Sequence, residues 1–309
     1  MTASRLLVSS ILIVLSLAGC ATRPPASDTP AVAAATDSRP LTWAALSARP
    51  LPAPGQRLAY GRSPQQFGVL RQPAGPGPHP VVILIHGGCW LSQYDLTYIS
   101  HLAAGLTAAG YATWSIEYRR LGDADGGWPG TFVDVGAAID QLQRLAADHA
   151  LDLSRVAALG HSAGGQLALW AATREESHGL LPADAPQPLR AVVGIAPITD
   201  LVAYQDGPEQ SCHAAARAVM GGTPDAVAER YAAVSPMDRL PLRVPMLLIS
   251  GGEDSIVSPE SVEAFAQAAL LEDDLVQLRI VPGDGHFDAV LPDSRSWLTL
   301  LAFLEASLR

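Results

Sequence analysis

The chain has 309 residues, 49% of them hydrophobic and 16% charged, which supplies a substantial core for one large domain and excludes a disordered chain. Its formal net charge of −10 argues against nucleic acid or an anionic membrane surface as a partner, because both repel an acidic protein. Three cysteines are too few for a disulfide framework, and their spacing suits no zinc site.

Residues 1–19 read as a secretory signal: Arg5 gives a small positive start, and Leu6 to Leu17 form an apolar stretch too short for a stable membrane span. Leu17-Ala18-Gly19-Cys20 resembles the bacterial lipobox, in which the cysteine is lipidated and becomes the mature N-terminus. That resemblance implies lipidation at Cys20. Ala21 after it implies sorting to the outer membrane of a bacterial envelope, with the protein facing the periplasm. An ordinary signal peptide, or an anchor helix that happens to contain Cys20, is the competing reading. Residues 20–56 are rich in Pro and Ala without a sustained period and read as a largely mobile tether. Trp43, Leu46 and Leu51 are the residues in it suited to docking on the domain that follows, residues 57–309.

Gln66 to Arg71 suits a strand, and the Pro/Gly run at 73–78 a loop. Val81 to Ile85 is a continuous apolar run of the kind buried in the middle of a parallel sheet. It ends in His86-Gly87-Gly88-Cys89-Trp90, where two glycines let the backbone turn its amides towards a neighbouring site. Acyl transfer needs such donors, because its tetrahedral intermediate concentrates charge on one oxygen. Asp95 to Ala109 reads as a helix with Leu96, Ile99, Leu102, Ala103 and Leu106 at helical spacing, closed by Gly110. Tyr111 to Glu117 is the next strand and Thr131 to His149 the next helix. Between them, Glu117 beside Arg119 and Arg120 reads as a structural ion-pair cluster.

Val156 to Leu159 is a short apolar strand, followed by Gly160-His161-Ser162-Ala163-Gly164-Gly165 and a helix-like Leu167 to Ala172. Strand, Gly-x-Ser-x-Gly and helix in that order make a nucleophile elbow, whose sharp turn lifts the hydroxyl of Ser162 clear of both elements. A polar connection, Arg174 to Leu189, leads to the buried strand Ala191 to Ala196. Residues 198–241 then interrupt the alternation with short helical pieces, as a lid insertion would, and are expected to carry the specificity. Cys212 lies there. A disulfide to Cys89 would tie lid to loop, but no sequence feature sets their distance, and two unpaired buried thiols are the expectation. Strand Val244 to Ile249 ends in Gly251-Gly252-Glu253-Asp254, helix Ser258 to Leu271 follows, and strand Leu275 to Val281 leads into Pro282-Gly283-Asp284-Gly285-His286. Trp297 to Leu308 is the closing helix. His79, His101, His149, His178 and His213 fall in no motif and read as surface or core residues.

Strand and helix thus alternate from about residue 66 onward, an α/β pattern. The His-Gly-Gly-x-Trp loop at 86–90, with the motifs around Ser162, Asp254 and His286 in this order, resembles the esterase and kynurenine formamidase-like families of the α/β-hydrolase superfamily. The resemblance implies a mostly parallel sheet with helices on both faces and a triad of Ser162, Asp254 and His286. It implies an oxyanion hole from the amides of Gly88, Cys89 and Ala163. His86 would shape the loop. Asp284 and Asp288, as sequence neighbours of His286, are poorly placed to be its acid. Neither a metal nor an organic cofactor is required. The expected reaction is hydrolysis of small or short-acyl carboxylic esters through an acyl-enzyme. Formamide hydrolysis, a peptidase related to the prolyl oligopeptidase group, and a non-catalytic envelope-binding lipoprotein are the alternatives. Oligomeric state is not indicated.

Overall fold

In the computed structural model, residues 39–174, 181–182, 185–207 and 212–308 are described. The signal segment, Cys20, the first part of the tether and His178 lie outside the described residues. Eight strands form one sheet: β1 (Gln56–Ala59), β2 (Phe67–Arg71), β3 (His79–Ile85), β4 (Ala112–Ile116), β5 (Leu151–His161), β6 (Ala191–Ile195), β7 (Met246–Gly251) and β8 (Val276–Val281). Their order is β1-β2-β4-β3-β5-β6-β7-β8. The pairs from β4 to β8 are parallel, whereas β1 pairs with β2, and β2 with β4, antiparallel.

The apolar runs occupy the middle of the sheet because their residues need cover on both faces. Alternation along β3 shows how the cover is divided. Val81, Ile83 and Ile85 enter one core cluster, while Val82 and Leu84 enter the other. Helices α1 (Trp43–Ser47), α2 (Ser100–Ala108) and α10 (Trp297–Leu308) serve the second cluster through Leu46, Leu102, Leu106, Phe303 and Leu304. The first is covered by α3 (Gly130–Asp140), α4 (Leu142–His149), α5 (Ala163–Ala171), α7 (Cys212–Met220), α8 (Ala228–Val234) and α9 (Pro259–Leu271). The short α6 (Leu201–Tyr204), capped by the Asp200 carboxylate, precedes α7 and adds Leu201.

Three expectations are corrected. The compact unit begins at Arg39 rather than at 57. Leu46 is buried, the amide of Leu41 donates to the Asp288 carboxylate at 3.1 and 3.2 Å, and Arg49 pairs with Asp293 at 3.6 Å, so the end of the Pro/Ala-rich segment is fastened to the domain. Of the three docking candidates, Leu51 remains 60% exposed. The helix expected over 131–149 is two, interrupted at Gln141. Finally, Cys89 and Cys212 are not free thiols but a disulfide, with their Cα atoms 4.9 Å apart. Helix α7 starts against the loop after β3, a proximity that local pattern does not encode across a separation of 123 residues.

A cross-link over so long a loop removes much freedom from the unfolded chain. Reduction is expected to lower the unfolding free energy by about 2–4 kcal/mol. This is read as a fall in the urea midpoint on adding reductant, which the double variant Cys89→Ser/Cys212→Ser should no longer show.

Candidate active site

Strand β5 ends at His161 and helix α5 begins at Ala163, leaving one residue for the turn. Ser162 therefore has φ 57° and ψ −122°, a strained conformation for a residue with a side chain. The turn is possible because strand and helix approach closely: a Cβ on Gly160 would overlap the Gly164 carbonyl, and one on Gly164 would overlap the carbonyls of Ile85 and His86. The amide of Ser162 donates to Ile195 O at 2.9 Å, which locks the turn to β6.

The loop after β3 bends as sharply, with φ of 98°, 54° and 55° at Gly88, Cys89 and Trp90. It is held by the buried Trp90 indole, by the disulfide and by a cluster beneath it. In that cluster His86 Nε2 lies 2.7 Å from Glu117 Oε1, Arg120 pairs with the same carboxylate at 3.0 Å, and Leu96 N donates to Oε2 at 3.2 Å. The Tyr118 hydroxyl donates to His86 O at 2.8 Å. Arg119 forks onto Asp134 at 2.8 and 2.7 Å. Glu117, Arg120 and His86 thus form a structural cluster, whereas Arg119, expected beside Glu117, pairs with Asp134 instead. With the chain so folded, the backbone N–H groups of Gly88, Cys89 and Ala163 donate to no acceptor among the described residues.

His286 lies in the loop after β8, and its Nδ1 is 2.7 Å from Asp254 Oδ2. The other carboxylate oxygen of Asp254 accepts from Ile256 N at 2.8 Å and Val257 N at 3.0 Å, and its side chain is fully buried. Because Asp254 accepts at Nδ1, the ring's Nε2 is left with its lone pair. Glu253, next to it, is exposed, and Asp288 instead accepts Gly285 N at 2.7 Å. Ser162 and His286 line one cavity of about 240 Å³, without a hydrogen bond between them. The same cavity is lined by Gly88 and Cys89, so the structure brings together Ser162, His286, Gly88 and Cys89, with Asp254 behind the histidine.

Two contributors escaped the sequence reading. His161, inside the quoted motif, is fully buried. Its Nε2 lies 2.9 Å from His286 O and its Nδ1 2.7 Å from the Tyr98 hydroxyl, which also receives Gly87 N at 2.7 Å. A carbonyl only accepts, so Nε2 carries the proton and Nδ1 accepts from Tyr98. Burial, reinforced by neighbouring His286, holds the His161 imidazole well below the usual histidine range and hence neutral, as this chain of bonds requires. Burial also pushes the Tyr98 phenol up, keeping it protonated. The other contributor is Trp43, which lines the cavity together with Tyr94, Ile256 and Phe287. From the insertion at 198–241, Cys212 is the one described residue that lines it, while Asp200, Ala203, Tyr204 and His213 line an adjacent cavity with Asp254 and Ile256.

A larger cavity of about 690 Å³, among Arg190, Arg243 and Val244, lies at the opposite ends of β6 and β7, away from the strand C-termini where such sheets bind ligands. Among the described residues no group of three or more His, Cys, Asp or Glu side chains is placed to hold a metal ion. No helix among them is long and apolar enough to cross a membrane.

A mostly parallel sheet with covered faces and an elbow serine at the end of its fifth strand defines an α/β hydrolase. Residues 69–269 match the model of the BD-FAE family, and the chain belongs to that family. It is 28% identical over 253 residues to Esterase LipC of Mycobacterium tuberculosis, a match spanning 78% of this chain and 61% of LipC. Among solved structures, a truncated carbohydrate esterase from gut microbiota superposes with a TM-score of 0.70 at 20% identity, covering 83% of this chain and 96% of that one. Esterase B from Lactobacillus rhamnosis, in a C6-C4 SN3 inhibited form, gives 0.71 at 21% identity, covering 84% and 89%.

Replacing Tyr98 by Phe would leave Gly87 N–H and His161 Nδ1 without partners in a buried setting. A destabilisation of about 2–4 kcal/mol is expected in urea unfolding. The Tyr94 hydroxyl bonds to nothing among the described residues, so Tyr94→Phe should stay within about 0.5 kcal/mol.

Proposed function

We propose that the protein is a serine esterase that hydrolyses carboxylic esters of small or short-acyl substrates through an acyl-enzyme. The observation that carries this reading is Ser162, strained at its turn, sharing one apolar-walled cavity with a histidine whose far nitrogen is bonded to a buried carboxylate. The esterases that it resembles in sequence and fold support the ester as substrate.

In this mechanism Ser162 Oγ attacks the ester carbonyl while His286 Nε2 takes its proton. Asp254 holds the ring by Nδ1 and stabilises the imidazolium that forms. The carbonyl oxygen becomes an anion and accepts from the unpaired amides of Gly88, Cys89 and Ala163. Collapse expels the alcohol, which leaves with the proton from His286. Water then repeats the sequence: His286 takes its proton, hydroxide adds to the acyl carbon, and Ser162 departs reprotonated with release of the acid. No step calls on a metal or organic cofactor.

The same proposal places the enzyme on the bacterial envelope, lipidated at Cys20 and facing the periplasm from the outer membrane. Support comes from the lipobox-like Leu17-Ala18-Gly19-Cys20 and from the Cys89–Cys212 disulfide, since such bonds persist in oxidising compartments. Detergent fractionation of cells carrying Cys20→Ser should show loss of membrane retention.

A fluorophosphonate probe is expected to label the wild-type protein and not Ser162→Ala, and labelling of neither would refute the esterase. Asp254→Asn should keep the fold and lower kcat by roughly 10⁴-fold, through loss of the histidine tautomer.

A further inference from the structure

Trp43 belongs to the stretch that composition assigns to a tether, yet its indole packs against three other aromatic rings. Ring centroids lie 5.3 Å from Tyr94, 5.4 Å from Tyr98 and 5.7 Å from Phe287, the residue after His286. The backbone around it is fixed at several points. Pro40 fills the space beside Gly285 so closely that a Cβ there would stand 2.7 Å from it. Leu41 N donates to the carboxylate of Asp288, the one that also accepts from Gly285 N, and Leu46 is sunk in the core. Thr42 Oγ1 caps the single-turn helix by accepting from Ala45 N at 3.2 Å. Trp43 is 37% exposed, and these contacts hold it at the wall of the cavity that contains Ser162.

We infer that Trp43 is a specificity-determining residue of this site: its indole closes the cavity and limits the ester to one whose group on that side is small and apolar, of acetyl to butyryl size. The inference rests on the esterase reading. A cavity of about 240 Å³ is below the roughly 300–1,000 Å³ of sites for drug-sized ligands, and its walls at Trp43, Phe287 and Ile256 offer no charge to a polar group. Since Trp43 enters from outside the alternating strands and helices, the N-terminal segment shapes substrate choice here, while the insertion after β6 contributes the disulfide sulfur.

The test uses the full chain as wild type, Trp43→Ala and Trp43→Phe, each checked for a cooperative urea transition. Two ester series are compared by kcat/KM: p-nitrophenyl esters from acetyl to octanoyl, and acetate esters of alcohols of rising length. Each methylene that a pocket admits or refuses is worth roughly tenfold or more in kcat/KM. Wild type should favour the short members of one series. Trp43→Ala should raise the hexanoyl-to-acetyl ratio, or its counterpart in the alcohol series, at least about tenfold, with Trp43→Phe in between. If Trp43→Ala does not fold, Trp43→Leu takes its place. Wild type that is labelled by a small fluorophosphonate and hydrolyses esters, with ratios unchanged in both series on substitution, overturns the inference alone. Wild type that is not labelled at all overturns the esterase reading on which it rests.

Discussion

A single run of hydrogen bonds joins the loop after β3, the nucleophile turn and the histidine loop. Gly87 N–H donates to the Tyr98 hydroxyl, Tyr98 to His161, and His161 to the carbonyl of His286. Its direction has no freedom, because a carbonyl closes one end and an amide opens the other, and burial keeps the imidazole neutral between them. All the groups are out of water, where such bonds are stronger and an unmade one is more costly. His161 immediately precedes Ser162, and Gly87 immediately precedes Gly88. The bonds therefore tie together the three segments that must hold their spacing around a reacting carbon.

Buried and half-buried carboxylates do similar work around it. Glu117 gathers His86, Arg120 and Leu96 N beneath the loop after β3. Asp288 gathers Gly285 N and Leu41 N beside the histidine. Asp254 and Glu117 each bond a histidine ring nitrogen at 2.7 Å, but the second nitrogen of His86 lies 2.7 Å from Gly87 O, whereas that of His286 is bonded to nothing among the described residues and His286 lines the cavity of Ser162. Which of these acids serves the chemistry follows from that second nitrogen and the cavity beside it, since all are buried or bonded to backbone.

The parallel strands were legible because a run covered on both faces cannot alternate, and Val81–Ile85 and Ala191–Ile195 do not. Ser162 and Asp254 were legible because each stands just past such a run, and His286 because it follows the last, alternating strand, each in a short glycine-containing turn. What escaped depends on contacts between distant segments. The Leu41–Asp288 bond spans 247 residues and the disulfide 123, and neither leaves a local periodicity. Trp43 lies in a five-residue helix, too short for a repeat, amid a composition that favours extended chain. His161 was visible as a letter of the motif. Its part in the site appears only once Tyr98, 63 residues earlier, is known to face it.

Part of the backbone strain lies at the same ends of the strands. Cys89 and Trp90 follow β3, Ser162 follows β5 and Ala196 follows β6, and all four have positive φ, at 54°, 55°, 57° and 44°. Each such residue costs on the order of 1–3 kcal/mol and persists only where its surroundings leave no other choice. Here those surroundings are the disulfide, the buried indole of Trp90 and the bonds from Ser162 N to Ile195 O and Ala196 N to Ile249 O. The turns that carry the strain are also those that leave Gly88, Cys89 and Ala163 with undirected amides, although backbone donors inside proteins are nearly always paired. A domain that only bound a partner would gain stability by relaxing these turns and pairing the amides. Keeping both strained and unpaired beside Ser162 has a use where a negative charge develops on an oxygen at that point, which is the event in acyl transfer.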